Sequence, residues 1–277
     1  MTSPLSITDE KLMHNDESTA TKQRKLLAPT SSPMQWRVAF AAFQALSKDN
    51  DDTIQVFKIV DALRGKSDAR NTKRMKQSVV GRRILEQRLS LIEVLSDRDR
   101  LRTLPEDSLG RVYLDFMERE GLSADGLAAA ANEGRQGEFT DPDTITYANW
   151  ARDSHDLWHV LTSYGRDPLG ELGLLGVLYS QGRNPGTAFI ALMSIPKTRK
   201  SYPGAPAIRT VLQGFLIGLK ARWLFAQDWA ALLERPINEV RTELRINQPS
   251  YYKRSLPFFD PSLSNSDAAI AKLANGV

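Results

Sequence analysis

Apolar side chains recur along most of this chain at the three- and four-residue spacing of an amphipathic helix. Examples are Trp36, Phe40 and Phe43 near the start, and Val211 and Phe215 near the end. No segment alternates apolar and polar residues in the way a half-buried strand does. The pattern predicts an all-α protein, a single-domain helical bundle of roughly nine to ten helices.

Polar and proline-rich segments set the expected limits of the domain. Residues 1–32 are rich in Ser, Thr, Lys and Asp with few apolar positions, which predicts a disordered N-terminal tail. The helical domain is expected over residues 33–247, with a loop around Pro196 and Pro203. Residues 248–277 contain three prolines, at positions 249, 257 and 261, and are predicted to form an irregular C-terminal tail.

The composition excludes several classes of protein. The chain has no cysteine, so disulfides and thiolate metal sites are ruled out. There is no apolar run of transmembrane length and no secretory signal, and Asp9 and Glu10 argue against a mitochondrial transit peptide. The net charge is +4. The basic run of residues 66–83 has no interleaved aromatics, so we expect no nucleic acid binding and favour a solvated helix face over a lipid or phosphate patch.

The candidate chemistry is concentrated around two of the three histidines. His155 and His159 are four residues apart, which places their imidazoles on one helix face, and Asp156 flanks that face. Glu171 follows Asp167 and Pro168, a cap and a first-turn proline that begin the next helix. The short connection favours an antiparallel helix hairpin, so we expect the Glu171 carboxylate to lie opposite the imidazoles.

Two imidazoles and one or two carboxylates predict a divalent metal site with nitrogen and oxygen ligands. Such a set suits zinc best, with iron(II) and manganese as alternatives. The His-Asp-x-x-His sequence is also similar to the His-Glu-x-x-His of zinc hydrolases, with Asp in place of the general-base Glu. A metal-dependent hydrolase is therefore a rival hypothesis.

The same residues resemble the hallmark of a known family. His155-Asp156-x-x-His159 followed by eleven residues and Glu171 looks like the motif of the coenzyme Q biosynthesis protein 4 family. The leucine, proline and glycine pattern of residues 104–110 is similar to that family, and so are the positions of Trp229, Pro236, Arg241, Leu244 and Ile246. The resemblance covers roughly residues 104–246, and it departs from the family at Leu172-Gly173-Leu174, where a more polar run is expected.

The resemblance implies a function and a set of site residues. It implies an all-helical protein of ubiquinone biosynthesis that performs a metal-dependent oxidative decarboxylation at C1 of a polyprenylated 4-hydroxybenzoate-derived intermediate. His155, Asp156, His159 and Glu171 would be the metal ligands and the catalytic residues. The alternative is a non-catalytic scaffold that binds prenyl lipids and organises the biosynthetic complex.

The resemblance also implies partners and a location. These are a polyprenylated aromatic acid, other ubiquinone biosynthesis enzymes and a membrane surface bound peripherally. The N-terminal tail favours a bacterial source, hence a cytoplasmic protein on the inner membrane. The extent of apolar helix surface suggests a homodimer.

Two apolar stretches are candidates for a groove that holds the prenyl chain: residues 189–193 and residues 212–219. Gly214 and Gly218 lie in the second stretch at the spacing that also allows close helix packing, and packing is the interpretation we favour. The basic residues 197–200 would suit anionic headgroups, or would form a plain basic loop.

Overall fold

The computed structural model describes residues 33–49, 52–134 and 141–259. Within these ranges the regular secondary structure consists of sixteen α-helices and one short 3-10 helix, without a β-strand. The predicted all-α class is confirmed, whereas the predicted number of nine to ten helices is wrong. Residues 1–32 and 260–277, which include the predicted N-terminal tail, lie outside the described residues.

The helices fall into three groups along the chain. The first group comprises α1 (Trp36–Leu46), α2 (Thr53–Ala62), α3 (Ser67–Met75), α4 (Val79–Glu86), α5 (Leu91–Leu95) and α6 (Arg98–Thr103). The second comprises α7 (Leu109–Arg119), α8 (Ala124–Gly134), α9 (Pro142–Asp153), α10 (His155–Thr162) and α11 (Pro168–Gly182). The third comprises α12 (Pro185–Ser201), α13 (Ala207–Lys220), the 3-10 helix (Leu224–Ala226), α14 (Trp229–Leu232), α15 (Ile237–Leu244) and α16 (Ser250–Phe259).

Local capping explains why the helices are shorter and more numerous than the hydrophobic spacing predicts. The side chain of Ser78 accepts a hydrogen bond from the backbone N–H of Gly81 and starts α4. Asp97 and Ser108 start α6 and α7 in the same way. Each cap begins a new helix while the apolar positions continue, so periodicity alone joins segments that the backbone separates.

Prolines end fewer helices than expected. Pro196 was predicted to mark a loop, but α12 continues through it to Ser201. A proline inside a helix costs one backbone hydrogen bond, and here the helix tolerates that loss. The predicted irregular tail likewise contains α16, whose Tyr252 hydroxyl hydrogen bonds to Asp167 at the start of α11. The folded domain therefore extends beyond residue 247.

The buried apolar residues form one large cluster and one small one. The large cluster surrounds α10 and α11 and contains Trp158, Tyr164 and Trp229. The small cluster joins α1 and α2 to Phe189 and Ile190 of α12. Phe189 lies at its centre because the rings of three α1 aromatics pack edge-on against it.

Most side chains of the basic run turn towards the protein itself. The Arg74 guanidinium lies 4.4 Å from the centre of the Trp223 ring, and Arg83 forms an ion pair with Asp228 at 2.6 Å. Arg70 donates to the carbonyl of Gly182, and Lys76 pairs with Asp143. These contacts favour the interpretation of this run as an ordinary helix surface.

Helices α11 and α13 approach each other closely along a line of glycines. A Cβ atom on Gly214 would lie 2.0 Å from the carbonyl oxygen of Gly173, and one on Gly218 would lie 1.9 Å from the Ser180 hydroxyl. A Cβ on Gly176 would lie 2.3 Å from the carbonyl oxygen of Val211. These glycines serve helix packing, as the favoured interpretation had it, and leave no room there for a prenyl chain.

We predict that Gly214→Ala destabilises the protein because its methyl group would meet backbone atoms that cannot move aside. Overpacking of this kind costs about 2 kcal/mol of the free energy of unfolding, which urea titration measures. Gly126→Ala is the matched control, since Gly126 is exposed in α8 with only a serine hydroxyl 3.3 Å away. That variant should be as stable as the wild type or up to about 1 kcal/mol more stable. Equal destabilisation of both would contradict the packing argument.

Candidate metal centre

The two histidines lie on a short helix of their own. α9 ends at Asp153 and α10 begins at His155, with Ser154 between them in the right-handed helical conformation. Two separate helices therefore meet just before the motif. Both imidazoles remain on one face, with ring centres 4.9 Å apart and an interplanar angle of 74°.

His159 is held from one side and unsatisfied on the other. Its Nδ1 lies 2.9 Å from the carbonyl oxygen of Tyr164. Because a carbonyl can only accept, Nδ1 must carry a proton. The ring stacks against Phe116 at 5.8 Å. Its Nε2 is buried and makes no hydrogen bond within the described part of the chain, so a lone pair is available there whenever the imidazole is neutral.

Asp156 lies beside both imidazoles. One of its carboxylate oxygens is 3.0 Å from Nδ1 of His155. One potential ligand atom from each of His155, Asp156 and His159 lies within 4.8 Å of the other two. A carboxylate that accepts from Nδ1 orients the imidazole so that Nε2 can bind a metal. Asp156 is therefore placed either to bind a cation or to position His155.

Glu171 comes from the facing helix. The Asp167 carboxylate caps α11 by accepting from the N–H groups of Leu169 and Gly170. This capped turn places Glu171 in the first turn of α11, where its Oε1 lies 3.4 Å from Nε2 of His159. The Glu171 carboxylate therefore lies opposite His159 as expected, close to the group formed by His155, Asp156 and His159.

Neighbouring charges favour the ionised forms of Asp156 and His159, although burial disfavours them. Burial opposes ionisation of Asp156, but the hydrogen bond from His155 and the nearby positive groups outweigh it and lower the net pKa. For His159, burial by itself lowers the pKa, but attraction to Glu171 and Asp156 outweighs burial and raises the net pKa. The acidic and basic groups of the site thus stabilise one another's charged forms.

The donors fit a divalent metal on chemical grounds. Neutral imidazole nitrogens and carboxylate oxygens are the ligands that zinc, iron(II) and manganese share. The unsatisfied buried Nε2 of His159 is the observation that a metal would explain most directly, since a buried polar atom without a partner is costly.

A cavity of about 850 Å³ adjoins the cluster. His155, Asp156 and Glu171 contribute to its wall, together with Arg152 and Arg166. The rest of the wall is largely aliphatic and aromatic, and includes Phe43, Leu46, Val56, Phe57, Val60, Leu172, Leu175, Leu178 and Ile190. Of the two predicted groove segments, only residue 190 of the first reaches this cavity, while the second lies on α13 away from it.

Two residues that support the site were not given this role by sequence reasoning. Tyr164 was merely a neighbour of the ligands in sequence, but its backbone oxygen fixes His159 and its buried ring lies against Gly173. In the sequence, Arg241 was named only as one of the positions that are similar to the family. Its guanidinium donates to the carbonyls of Val160 and Leu161 and to the Ser163 hydroxyl, each at 2.9 Å. No motif predicts either contact, because most of the partners are backbone carbonyls, which carry no side-chain signature.

The comparison with known families decides the relationship. The family model of the coenzyme Q (ubiquinone) biosynthesis protein Coq4 matches residues 32–250. The chain belongs to the Coq4 family. This confirms the resemblance that the spaced histidine motif indicated.

Curated Coq4 relatives share about three residues in ten with this chain. The mitochondrial ubiquinone biosynthesis protein coq4 of Sclerotinia sclerotiorum is 31% identical over 179 residues, which is 63% of this chain and 60% of that protein. Its counterpart from Yarrowia lipolytica is 28% identical over 179 residues, covering 63% of this chain and 64% of the relative. The match thus spans less than two thirds of the length of these Coq4 proteins. Both are named mitochondrial, so the comparison does not support the expected bacterial source.

A solved structure shares the Coq4 fold seen here. The crystal structure of a protein from Nostoc punctiforme, provisionally named as a ubiquinone biosynthesis protein, superposes with a TM-score of 0.60. It is 21% identical and covers 79% of this chain and 100% of that chain. At this level of identity the likeness concerns the fold alone.

We predict that Arg241→Gln destabilises the protein by about 2 kcal/mol, because it leaves buried carbonyls at the end of α10 without their charged donor. Burial lowers the pKa of Arg241 to about 10, so the guanidinium stays charged at neutral pH. Chemical denaturation measures the loss. Arg119 is an exposed arginine that pairs with its neighbour Glu120 and lies 5.5 Å from the centre of the Phe116 ring, and Arg119→Gln should cost less than about 1 kcal/mol. The prediction fails if the two variants lose the same amount.

Asp68 in the cavity wall should give a measurable pH dependence. Burial, opposed chiefly by Arg64, raises its pKa to about 6. Between pH values of about 4 and about 6 the folded state therefore binds this proton more tightly than the unfolded state, and stability falls as pH rises. In Asp68→Asn the free energy of unfolding should decline less over this window. The fully exposed Asp99 supplies the control Asp99→Asn, which should track the wild type; an unchanged slope in Asp68→Asn would refute the assignment.

Proposed function

We propose that this chain acts in ubiquinone biosynthesis on an aromatic acid that carries a long prenyl chain. One observation carries the proposal: a single cavity has both the His155, Asp156 and Glu171 cluster and a largely apolar lining in its wall. A substrate with a charged ring and a hydrocarbon chain can bind only where a polar cluster and an apolar wall lie in the same cavity. Membership of the Coq4 family supports the same pathway.

We expect His155, His159 and Glu171 to hold a divalent metal, with Asp156 as a fourth ligand or as the group that orients His155. Zinc is the first candidate, and iron(II) and manganese are the alternatives. When bound, the metal would supply Lewis-acid polarisation of the substrate's carboxylate and ring oxygens. The unsatisfied Nε2 of His159 supports this assignment.

The proposed reaction replaces the C1 carboxylate of the ring by a hydroxyl group. The carboxylate leaves as carbon dioxide, and the ring loses two electrons, so an electron acceptor and an oxygen source must take part. Arg166 lines the cavity beside the cluster and offers a cation to the substrate carboxylate. Arg152 also lines the cavity, but its guanidinium is already paired with Asp153 at 2.6 Å. The aliphatic wall would hold the prenyl chain and exclude water from the ring.

A scaffold that only binds prenyl lipids would use the same cavity, and the metal would then merely fix the α10–α11 hairpin. The two hypotheses differ in what the metal ligands do once the fold is intact. The hydrolase hypothesis requires turnover of an ester or amide with zinc alone, and no feature of the cavity favours it.

Glu171→Gln distinguishes catalyst from scaffold because it keeps the side-chain shape and removes one negative ligand. We predict that the purified variant binds zinc, iron(II) or manganese roughly 100-fold more weakly than the wild type, by metal titration. In cells that depend on this gene, a prenylated intermediate that retains its C1 carboxylate should accumulate and ubiquinone should be lost, by mass spectrometry.

Glu118→Gln is the matched control, since Glu118 makes an exposed ion pair with Arg102 outside the cavity. It should retain both metal binding and ubiquinone. If the Glu171→Gln protein loses metal binding but cells that carry it contain normal ubiquinone, the scaffold hypothesis is favoured. Unchanged metal affinity in Glu171→Gln would instead remove Glu171 from the ligand set.

A further inference from the structure

A short link joins the two helices that carry the candidate ligands. α10 ends at Thr162 and α11 begins at Pro168, so residues 163–167 connect the helix of His159 to the helix of Glu171. Burial does not fix the Glu171 carboxylate, because this side chain is 38% exposed, whereas the side chain of His159 is fully buried. The position of Glu171 opposite His159 therefore depends on where the link places the first turn of α11.

The hydroxyl of Tyr252 holds this link from a third helix, α16. It accepts a hydrogen bond from the N–H of Gly165 at 3.0 Å and donates one to the carboxylate of Asp167. A phenol can make both bonds at once because its oxygen accepts while its proton is donated. One hydroxyl therefore ties the middle of the link to its last residue.

The Asp167 carboxylate extends this contact to the start of α11. Its Oδ2 atom accepts from Tyr252, and its Oδ1 atom accepts from the N–H groups of Leu169 and Gly170 at 3.0 and 3.1 Å. An N-terminal cap of this kind fixes the position at which a helix begins. The cap that places the first turn of α11, and Glu171 within it, is thus bonded directly to Tyr252.

Tyr252 is itself fixed by its surroundings. It is 3% exposed, and the centre of its ring lies 5.4 Å from that of the Tyr164 ring. Its helix is joined to α13 by hydrogen bonds from Gln213 Nε2 to the Ser250 hydroxyl and from the Tyr251 N–H to Gln213 Oε1. Because the ring is buried on an anchored helix, its hydroxyl has a defined position from which to hold the link.

We propose that Tyr252 is a positioning residue for the candidate metal centre, whose hydroxyl sets the place of the Glu171 carboxylate relative to His159. Tyr252 is not among the residues that line the cavity, so it acts indirectly, through Asp167. Its effect on a metal rests on the proposed function, whereas the placement of Glu171 does not. The alternative is a buried tyrosine that only stabilises the fold.

Tyr252→Phe tests the proposal because it removes the hydroxyl and keeps the ring. We predict that the purified variant binds zinc about tenfold more weakly than the wild type, which metal titration measures. Tyr147→Phe is the matched control, since Tyr147 is also buried and its hydroxyl accepts from Asn71 on α3 rather than from the link. It should bind zinc as the wild type does, and circular dichroism checks the fold of both variants. Equal zinc affinity in Tyr252→Phe and the wild type would overturn the proposal.

A double-mutant cycle with Glu171→Gln separates positioning from stability. If Tyr252 acts through the Glu171 carboxylate, adding Tyr252→Phe to Glu171→Gln should weaken zinc binding less than about twofold, against about tenfold in the wild-type background. A hydroxyl that only stabilises the fold would weaken binding by the same factor in both backgrounds. That result would contradict the positioning role.

Amide hydrogen exchange, measured by NMR, tests the link without any metal. The amides that report on it are those of Gly165, Leu169 and Gly170. We expect them to exchange about tenfold faster in Tyr252→Phe than in the wild type, and at the wild-type rate in Tyr147→Phe. Unchanged exchange in Tyr252→Phe would refute the proposal. If the wild type binds no zinc, the zinc hypothesis fails, and this measurement alone decides whether Tyr252 holds the link.

Discussion

Tyr164 connects the candidate site to the packing of the helices around it. Its backbone oxygen holds Nδ1 of His159, and its buried ring fills the space beside Gly173. Its hydroxyl donates to the carbonyl of Thr210 on α13 at 3.3 Å. A Cβ on Gly173 would lie 2.3 Å from this ring and one on Gly214 would lie 3.4 Å from the hydroxyl. The orientation of the His159 lone pair therefore depends on two glycines that bring α11 and α13 together.

The sequence predicted the site better than it predicted the elements that carry it. His155 and His159 share a face because helical spacing is a local property, and Glu171 meets them because the capped turn is short. The break at Ser154 could not be seen, since this residue keeps a right-handed helical conformation between the end of α9 and the start of α10. The Tyr164 contact is local but uses a backbone oxygen, and the Arg241 contacts join residues about 80 apart that only the tertiary fold brings together.

In helices α11 and α13, hydrophobic spacing does not predict which face of the helix is buried. α11 is apolar on nearly every side and is buried in the large cluster, whereas α13 is apolar on both its buried and its exposed faces. The same glycines could signal a lipid groove or close packing, and only the distances to Gly173 and Ser180 decide for packing. The loop predicted at Pro196 was wrong because a helix that is packed against its neighbours can lose one hydrogen bond and continue.

The charges of the candidate site are compatible with the divalent cation proposed for it. Asp156 and Glu171 bring two carboxylates beside two imidazoles, and the pKa values of both carboxyls lie below their usual range even though burial raises them. Asp156 is buried, whereas the Glu171 side chain is 38% exposed, so the cost of an uncompensated charge falls mainly on Asp156. Without a metal, the positive charge that lowers both pKa values comes from the histidines and from Arg166. A divalent metal would compensate both carboxylates while the imidazoles stay neutral, and it would use the Nε2 lone pair that Tyr164 orients. The same compensation would leave Arg166 to meet the negative charge that a substrate carboxylate brings into the cavity, whereas Arg152 already pairs with Asp153.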